Sequence, residues 1–276
     1  MIGVEDLVHE TVMLSSLDHP NIIKIHGRAN DFISRSSSES VRLSDGYFIL
    51  LDKLQDNLDD RIVEWRKKCR NSSKHPPSMQ RVKVATAVAD AMSFLHERNI
   101  AFRDLKPANV GFDGKGVVKL FDFGFAISMG SDDDLLYDRA GTIRYMAPEV
   151  GLDMGYGLSA DVYSFSILLW ELFALKKPFS KMKCASDFIK TVFQKGERPT
   201  PGKNWQPEIK ELLKDSWSSY PNGRPSMKDI TRSLQRLQHQ TLASSVSQDD
   251  LGRSLRRSVL NKFSSTDNLR RSSDFL

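Results

Sequence analysis

The chain has 276 residues, 39% of them hydrophobic and 27% charged, the balance of an ordinary soluble globule large enough for one large or two small domains. Its net charge of +5 does not imply a nucleic-acid partner, because the stretch from Thr241 onward, with six basic and four acidic residues, carries part of the excess. Cys69 and Cys184 stand far apart without metal-ligand spacing, so neither a disulfide framework nor a zinc site is indicated, and a reducing intracellular compartment fits best.

The opening Met-Ile-Gly-Val-Glu-Asp lacks the basic segment and apolar run of a secretory signal. Glu5 to Leu17 places Leu7, Val8, Met13, Leu14 and Leu17 at mostly helical spacing, and His19-Pro20-Asn21 ends the pattern. Ile22 to His26 and Tyr47 to Leu51 read as strands, with the polar stretch Ser34 to Ser40 between them expected as a mobile loop. Asn57 to Arg70 suits a surface helix: Asp59 and Asp60 lie in its first turn and Arg66, Lys67, Lys68 and Arg70 at its end, as the helix dipole favours. After an expected loop from Asn71 to Pro77, Gln80 to Arg98 carries Val84, Ala87, Val88, Ala91, Met92 and Leu95 on one face, the mark of a long core helix.

Val110 to Phe112 and Val117 to Phe121 flank Asp113-Gly114-Lys115-Gly116, a strong turn signal, and read as a short hairpin. Ser159 opens another helix, whose run from Phe165 to Leu175 is too short to span a bilayer and contains Glu171, so no transmembrane segment is expected. Trp170 and Trp217 read as core aromatics. Thr241 to Leu276 is rich in Ser and Arg, with few apolar residues and no period, which argues for disorder.

One constellation carries chemistry. Asp104, Asn109 five residues later, and Asp122 at the end of the hairpin offer two carboxylates and an amide, oxygen donors of the kind hard cations prefer.

The stretch Phe102-Arg103-Asp104-Leu105-Lys106-Pro107-Ala108-Asn109, then Asp122-Phe123-Gly124, then Gly141-Thr142-Ile143-Arg144-Tyr145-Met146-Ala147-Pro148-Glu149, resembles the ordered motif set of eukaryotic protein kinases. The likeness is to the serine/threonine type, in a tyrosine-kinase-like or MAP-kinase-kinase-kinase-like branch. One departure is Phe102 where the family has His, which keeps aromatic packing and loses a hydrogen bond. The resemblance covers Glu5 to Leu237 and implies an α+β, bilobal protein-kinase-like fold: a mostly helical large lobe (55–240), an incomplete small lobe (1–54) and a disordered tail (241–276). It also implies roles for particular residues: Asp104 would accept the proton of an incoming hydroxyl, Asn109 and Asp122 would hold magnesium, and Lys106 would steady the transferred phosphoryl group. Glu10, nine residues before His19, would form an ion pair with a strand Lys that holds the ATP phosphates. Leu51 stands at the gatekeeper position, and backbone groups of Asp52, Lys53 and Leu54 would meet the adenine edge. Asp161 would hold the backbone of the catalytic loop, Glu149 and Arg224 would form a buried ion pair, and Thr142 with Lys106 points to Ser/Thr specificity.

In the family, Arg103 is paired by a phosphate on the segment from Gly124 to Glu149. Ser128, Ser131, Tyr137 and Thr142 are the candidate hydroxyls there; the Asp132-Asp133-Asp134 run could replace that phosphate in part, but a solvated acidic loop is the safer reading. Before Glu10 the sequence shows neither a Gly-rich loop nor a Val-Ala-Ile-Lys strand, so an N-terminally truncated kinase is expected, with a degenerate kinase that has lost its nucleotide lid as the alternative. The functional expectation is a cytoplasmic serine/threonine kinase that uses ATP and Mg2+ on protein substrates and answers to an upstream kinase acting on the activation segment. No nucleic-acid partner is expected. A pseudokinase or truncated kinase serving as a binding or scaffold module is the alternative. Ser258, Ser272 and Ser273 follow paired arginines, as targets of basophilic kinases do, but a linker-like tail is the plainer reading.

Overall fold

The computed structural model describes residues 4–28, 48–71, 78–131 and 134–240. The expected loops at Ser34 to Ser40 and 72–77, the pair Asp132-Asp133 and the tail from Thr241 lie outside the described residues. The chain divides into two compact units, Met1–Leu234 and Gln235–Leu276; of the second only 235–240 is described, and it is helical.

Helix α1 (Val4–Ser15) buries Met13 and Leu14. Its polar Thr11, also buried, returns its hydroxyl to Leu7 O at 2.7 Å, so the apolar face carries no orphan donor. The chain then turns at His19-Pro20-Asn21, where the Asn21 amide donates to His19 Nδ1. Strand β1 (Ile25–Arg28) pairs antiparallel with β2 (Ile49–Leu51), and the register slips between Ile25 and Gly27.

The strand expected at Ile22 to His26 is therefore displaced. Ile22 and Ile23, both buried, instead dock on the hairpin: Ile23 N donates to Leu120 O at 2.9 Å and Leu120 N to Asn21 O at 2.8 Å. Burying both isoleucines fixes them against the strand that ends at Leu120, and the ladder of β1 begins only where exposure starts to alternate.

A second sheet has the order β3 (Leu54–Asn57), β5 (Val110–Asp113), β6 (Val118–Leu120), all antiparallel. Strand β3 was not foreseen, and Leu-Gln-Asp-Asn has little strand propensity of its own. It forms by packing Leu54 over Gly111, where any side chain would collide with Leu54. Asn57 then caps α2 (Leu58–Asn71) by accepting the Asp60 amide, and α2 buries Leu58, Ile62 and Trp65.

Helix α3 (Ser78–His96) is buried along Val82, Ala85, Val88, Ala89, Met92 and Leu95. It leads through Asn99, at φ 53°, into β4 (Ile100–Ala101), which pairs with β7 (Ile127–Ser128). After the short α4 (Pro148–Gly151) comes α5 (Ser159–Ala174), buried on every side from Ala160 to Phe173 and hence the axis of the core. Its buried hydroxyls are satisfied on backbone oxygens: Ser164 Oγ on Tyr145 O, Ser166 Oγ on Tyr163 O. The remaining elements are α6 (Ala185–Phe188), which runs into a π-helical turn over Ile189–Gln194, then α7 (Pro207–Ser216) and α8 (227–240). The class is α+β. Among the described residues no helix is long and apolar enough to cross a membrane.

Candidate active site

The loop between β4 and β5 is positioned by a carboxylate from the first turn of α5. Asp161 Oδ2 accepts the Phe102 amide at 2.8 Å and His96 Nε2 at 3.1 Å, and Oδ1 accepts the Arg103 amide at 2.8 Å. These bonds hold Arg103 at φ 68°, a left-handed conformation that is costly for a residue with a side chain. Gly141, itself at φ 94°, lies so close that a Cβ would overlap Arg103 O. Phe102 is fully buried and meets Phe123 edge-on at 5.1 Å between centroids, so the aromatic at this position is a packing residue.

Asp104 is only 4% exposed, and its carboxylate is held from four directions. Oδ1 accepts Thr142 N at 2.8 Å and Thr142 Oγ1 at 2.7 Å; Oδ2 accepts Lys106 Nζ at 2.6 Å and Asn109 Nδ2 at 3.2 Å. Lys106 also donates to Thr142 Oγ1 at 3.1 Å, closing a three-membered polar cluster. Asn109 Nδ2 donates a second bond to Asp104 O at 3.0 Å, which commits the amide nitrogen inward. A short 3-10 turn, Pro107–Asn109, sets this geometry, and Phe121 N on Asn109 O (3.1 Å) ties it to the end of the hairpin.

That hairpin delivers Asp122 at φ 67°. Burial pushes its carboxyl above the usual carboxylate range and the charge of Asp104 pushes the same way, with Lys106 and the Gly124 amide opposing. Glu10, on α1, accepts the Phe123 amide at 3.0 Å, and its pKa is also raised, first by burial. Beside it His9 Nε2 donates to Ala126 O at 2.6 Å, so two adjacent residues of α1 grip the segment after Asp122.

Leu51 to Leu54 forms the link between the two sheets. Asp52 donates its amide to Lys24 O, and its carboxylate accepts Lys24 N at 3.1 Å and His26 Nε2 at 2.7 Å, with Lys119 Nζ at 3.3 Å. Burial works against that carboxylate, but the His26, Lys24 and Lys119 contacts outweigh it and hold its pKa low. Lys53 is exposed and Leu51 half-buried. Asp104, Lys106, Asn109 and Thr142 thus form one cluster, which Asp122 faces as a second charge, while Glu10 stands one hydrogen bond away on Phe123. Among the described residues no hydrogen bond joins 51–54 to that cluster.

Two residues of this neighbourhood went unforeseen. Arg103 reaches Asp138 Oδ2 at 2.6 Å and Tyr156 OH at 3.2 Å, with Nε donating to Phe125 O at 2.6 Å. Of the acidic run, the described member Asp134 accepts the Ser131 amide and hydroxyl and has no bond to Arg103 among those of the described residues. No local pattern marks Asp138 or Tyr156; both are defined by long-range packing. Of the candidate hydroxyls, Thr142 is engaged with Asp104 and Lys106, whereas Tyr137 is exposed.

Residues 2–234 match the family described as protein tyrosine and serine/threonine kinase. Over 155 residues the chain is 41% identical to the serine/threonine-protein kinase STY46 of Arabidopsis thaliana, which covers 56% of this chain and 27% of that protein. It is 38% identical over 151 residues to the dual specificity protein kinase shkB of Dictyostelium discoideum (54% and 23%). To the serine/threonine-protein kinase CTR1 of Arabidopsis thaliana it is 30% identical over 231 residues (82% and 26%). The chain spans about a quarter of the length of these relatives.

Proposed function

The chain belongs to the protein tyrosine and serine/threonine kinase family, and on that premise we propose that it transfers the γ-phosphate of ATP to Ser and Thr hydroxyls of protein substrates. One observation carries the reading: the Asp104 carboxylate is fixed by Thr142, Lys106 and Asn109 at 2.6 to 3.2 Å. A carboxylate so oriented takes the proton of a substrate hydroxyl as it attacks phosphorus, a contribution of about 10² to 10⁴ in rate. Lys106 presents its ammonium where charge builds on the transferred group. The pairing of Lys106 with Thr142 supports Ser/Thr rather than Tyr as the acceptor.

The donor set fits magnesium. With its amide nitrogen spent on Asp104, Asn109 keeps its side-chain oxygen for a cation, and the mutual repulsion of Asp104 and Asp122 is relieved by positive charge between them. Asn109 and Asp122 are the residues assigned to hold it. When bound, magnesium neutralises the charge of the ATP phosphates. Backbone groups at Asp52 to Leu54 are assigned to the adenine edge, and Glu10 to the phosphate-side ion pair of the family. Residues 1–54 and 55–240 are read as the two lobes around this site. The free thiols of Cys69 and Cys184 support a cytoplasmic location.

The test is phosphoamino-acid analysis after incubating the chain with Mg2+, γ-labelled ATP and a mixture of Ser, Thr and Tyr peptides. Label on phosphoserine and phosphothreonine, absent with Asp104→Asn, is expected. Label confined to phosphotyrosine, or label indifferent to Asp104→Asn, would overturn the assignment.

A further inference from the structure

Arg103 is spoken for by residues of the chain itself. Its guanidinium bonds Asp138 Oδ2 at 2.6 Å, Tyr156 OH at 3.2 Å and Phe125 O at 2.6 Å. Tyr156 closes the arrangement by donating its hydroxyl to Asp138 O at 2.8 Å, with Asp138 Oδ1 3.4 Å away. The backbone reinforces it, since Leu136 and Tyr156 exchange both amide-to-carbonyl bonds at 2.9 and 3.0 Å in an isolated antiparallel bridge. A second tie lies beside it, where Arg139 bonds both oxygens of Asp153 and the carbonyl of Gly151.

A phosphate on this segment would order it by giving an arginine negative charge and acceptor oxygens. Asp138 already supplies both. We propose that Asp138, locked by Tyr156, takes the place of a phosphate on the segment 124–149, so that Arg103 and the catalytic loop are held in working geometry without phosphorylation. Asp138 and Tyr156 are positioning residues that act through Arg103, whose own amide is the one fixed by Asp161. The inference rests on the kinase reading above and adds that an upstream kinase acting on this segment is not needed for order.

The contributions are unequal. Tyr156 is buried, whereas the Asp138 side chain is 63% exposed, so water screens the pair and its effect on segment opening is about three- to tenfold rather than the larger factor of a buried pair.

The experiment is amide hydrogen exchange on the full chain after phosphatase treatment, with mass spectrometry verifying that segment 124–149 carries no phosphate. The Leu136 and Tyr156 amides are expected to be protected in this form, to exchange about three- to tenfold faster in Asp138→Asn, and to regain protection in Asp138→Glu. Amides of α5 serve as the control for folding; should they also open in Asp138→Asn, Tyr156→Phe, which keeps the ring and removes its hydroxyl bonds, carries the same expectation. In peptide phosphorylation, Asp138→Asn lowers kcat and leaves KM for ATP unchanged. Unchanged exchange at Leu136 and Tyr156 in both variants overturns the proposal, as does wild-type protection that appears only after an added kinase phosphorylates the segment. The expected exchange pattern without phosphoryl transfer by any variant upholds the clamp and removes the kinase reading.

Discussion

Replacing Arg224 with Met tests the energetics on which the segment's far end depends. The Arg224 side chain is fully buried and that of Glu149 is 5% exposed. The guanidinium holds the carboxylate with two parallel bonds, Nη1 to Oε1 at 2.6 Å and Nη2 to Oε2 at 2.9 Å, and also donates to Ser218 O and Ser159 O. Arg224→Met fills most of the volume but leaves a carboxylate buried without its cation, a loss of about 3 to 5 kcal/mol. That is a large share of the roughly 5 to 15 kcal/mol that stabilises a domain, and for a unit of this size it lowers Tm by roughly 6 to 20 °C. The double variant Glu149→Leu with Arg224→Met removes both charges and is expected to recover at least about 2 kcal/mol relative to the sum of the single losses. Urea unfolding followed by circular dichroism measures all three. A loss below about 1 kcal/mol in Arg224→Met, or strict additivity in the double variant, would refute the buried-pair account.

Three further outcomes follow from the same geometry. Burial raises the pKa of Glu171 despite the Tyr145 hydroxyl bonded to it at 2.6 Å and the nearby Lys177. Its stabilising contribution is thus fully present below the unfolded carboxyl pKa and lost as pH rises through the folded value; Glu171→Gln, which still accepts from Tyr145, should be the more stable protein at pH 8 and lose that advantage toward pH 4 in thermal melts. Gly141→Ala places a Cβ against Arg103 O at φ 94° and should cost about 2 to 5 kcal/mol in chemical unfolding, with transfer lost alongside. Phe102→Ala should cost about 3 to 5 kcal/mol by opening a cavity beside Phe123, while Phe102→His should cost clearly less; equal losses in the two variants would show that the aromatic does not act by packing.

What the sequence made legible is local. Asp104, Lys106 and Asn109 fall within six residues of one another on a loop and a single 3-10 turn, so their spacing alone brings them together. Helix α3 announced itself by its period, and the hairpin β5-β6 by Asp113-Gly114-Lys115-Gly116, where Asp113 accepts the Lys115 and Val117 amides. Strand β3 was illegible because its pairing with β5, not its composition, makes it a strand. The displacement of β1 likewise depends on two isoleucines finding β6. The π-helical turn at Ile189–Gln194 has no local signature that set it apart from the helix before it. The contacts of Arg103 with Asp138 and Tyr156 span 35 and 53 residues, and a lone Asp between Tyr137 and Arg139 gives no hint of its partner.

The central claim is that the Asp104 cluster performs phosphoryl transfer, and single-turnover transfer tests it most directly. With the chain in excess over a Ser/Thr peptide and Mg·ATP saturating, however slow the absolute rate, the account predicts that Asp104→Asn lowers the transfer rate constant by about 10² to 10⁴ while nucleotide binding persists. Equal rate constants for the wild-type chain and Asp104→Asn, or no transfer by a wild-type chain that binds Mg·ATP, would contradict it.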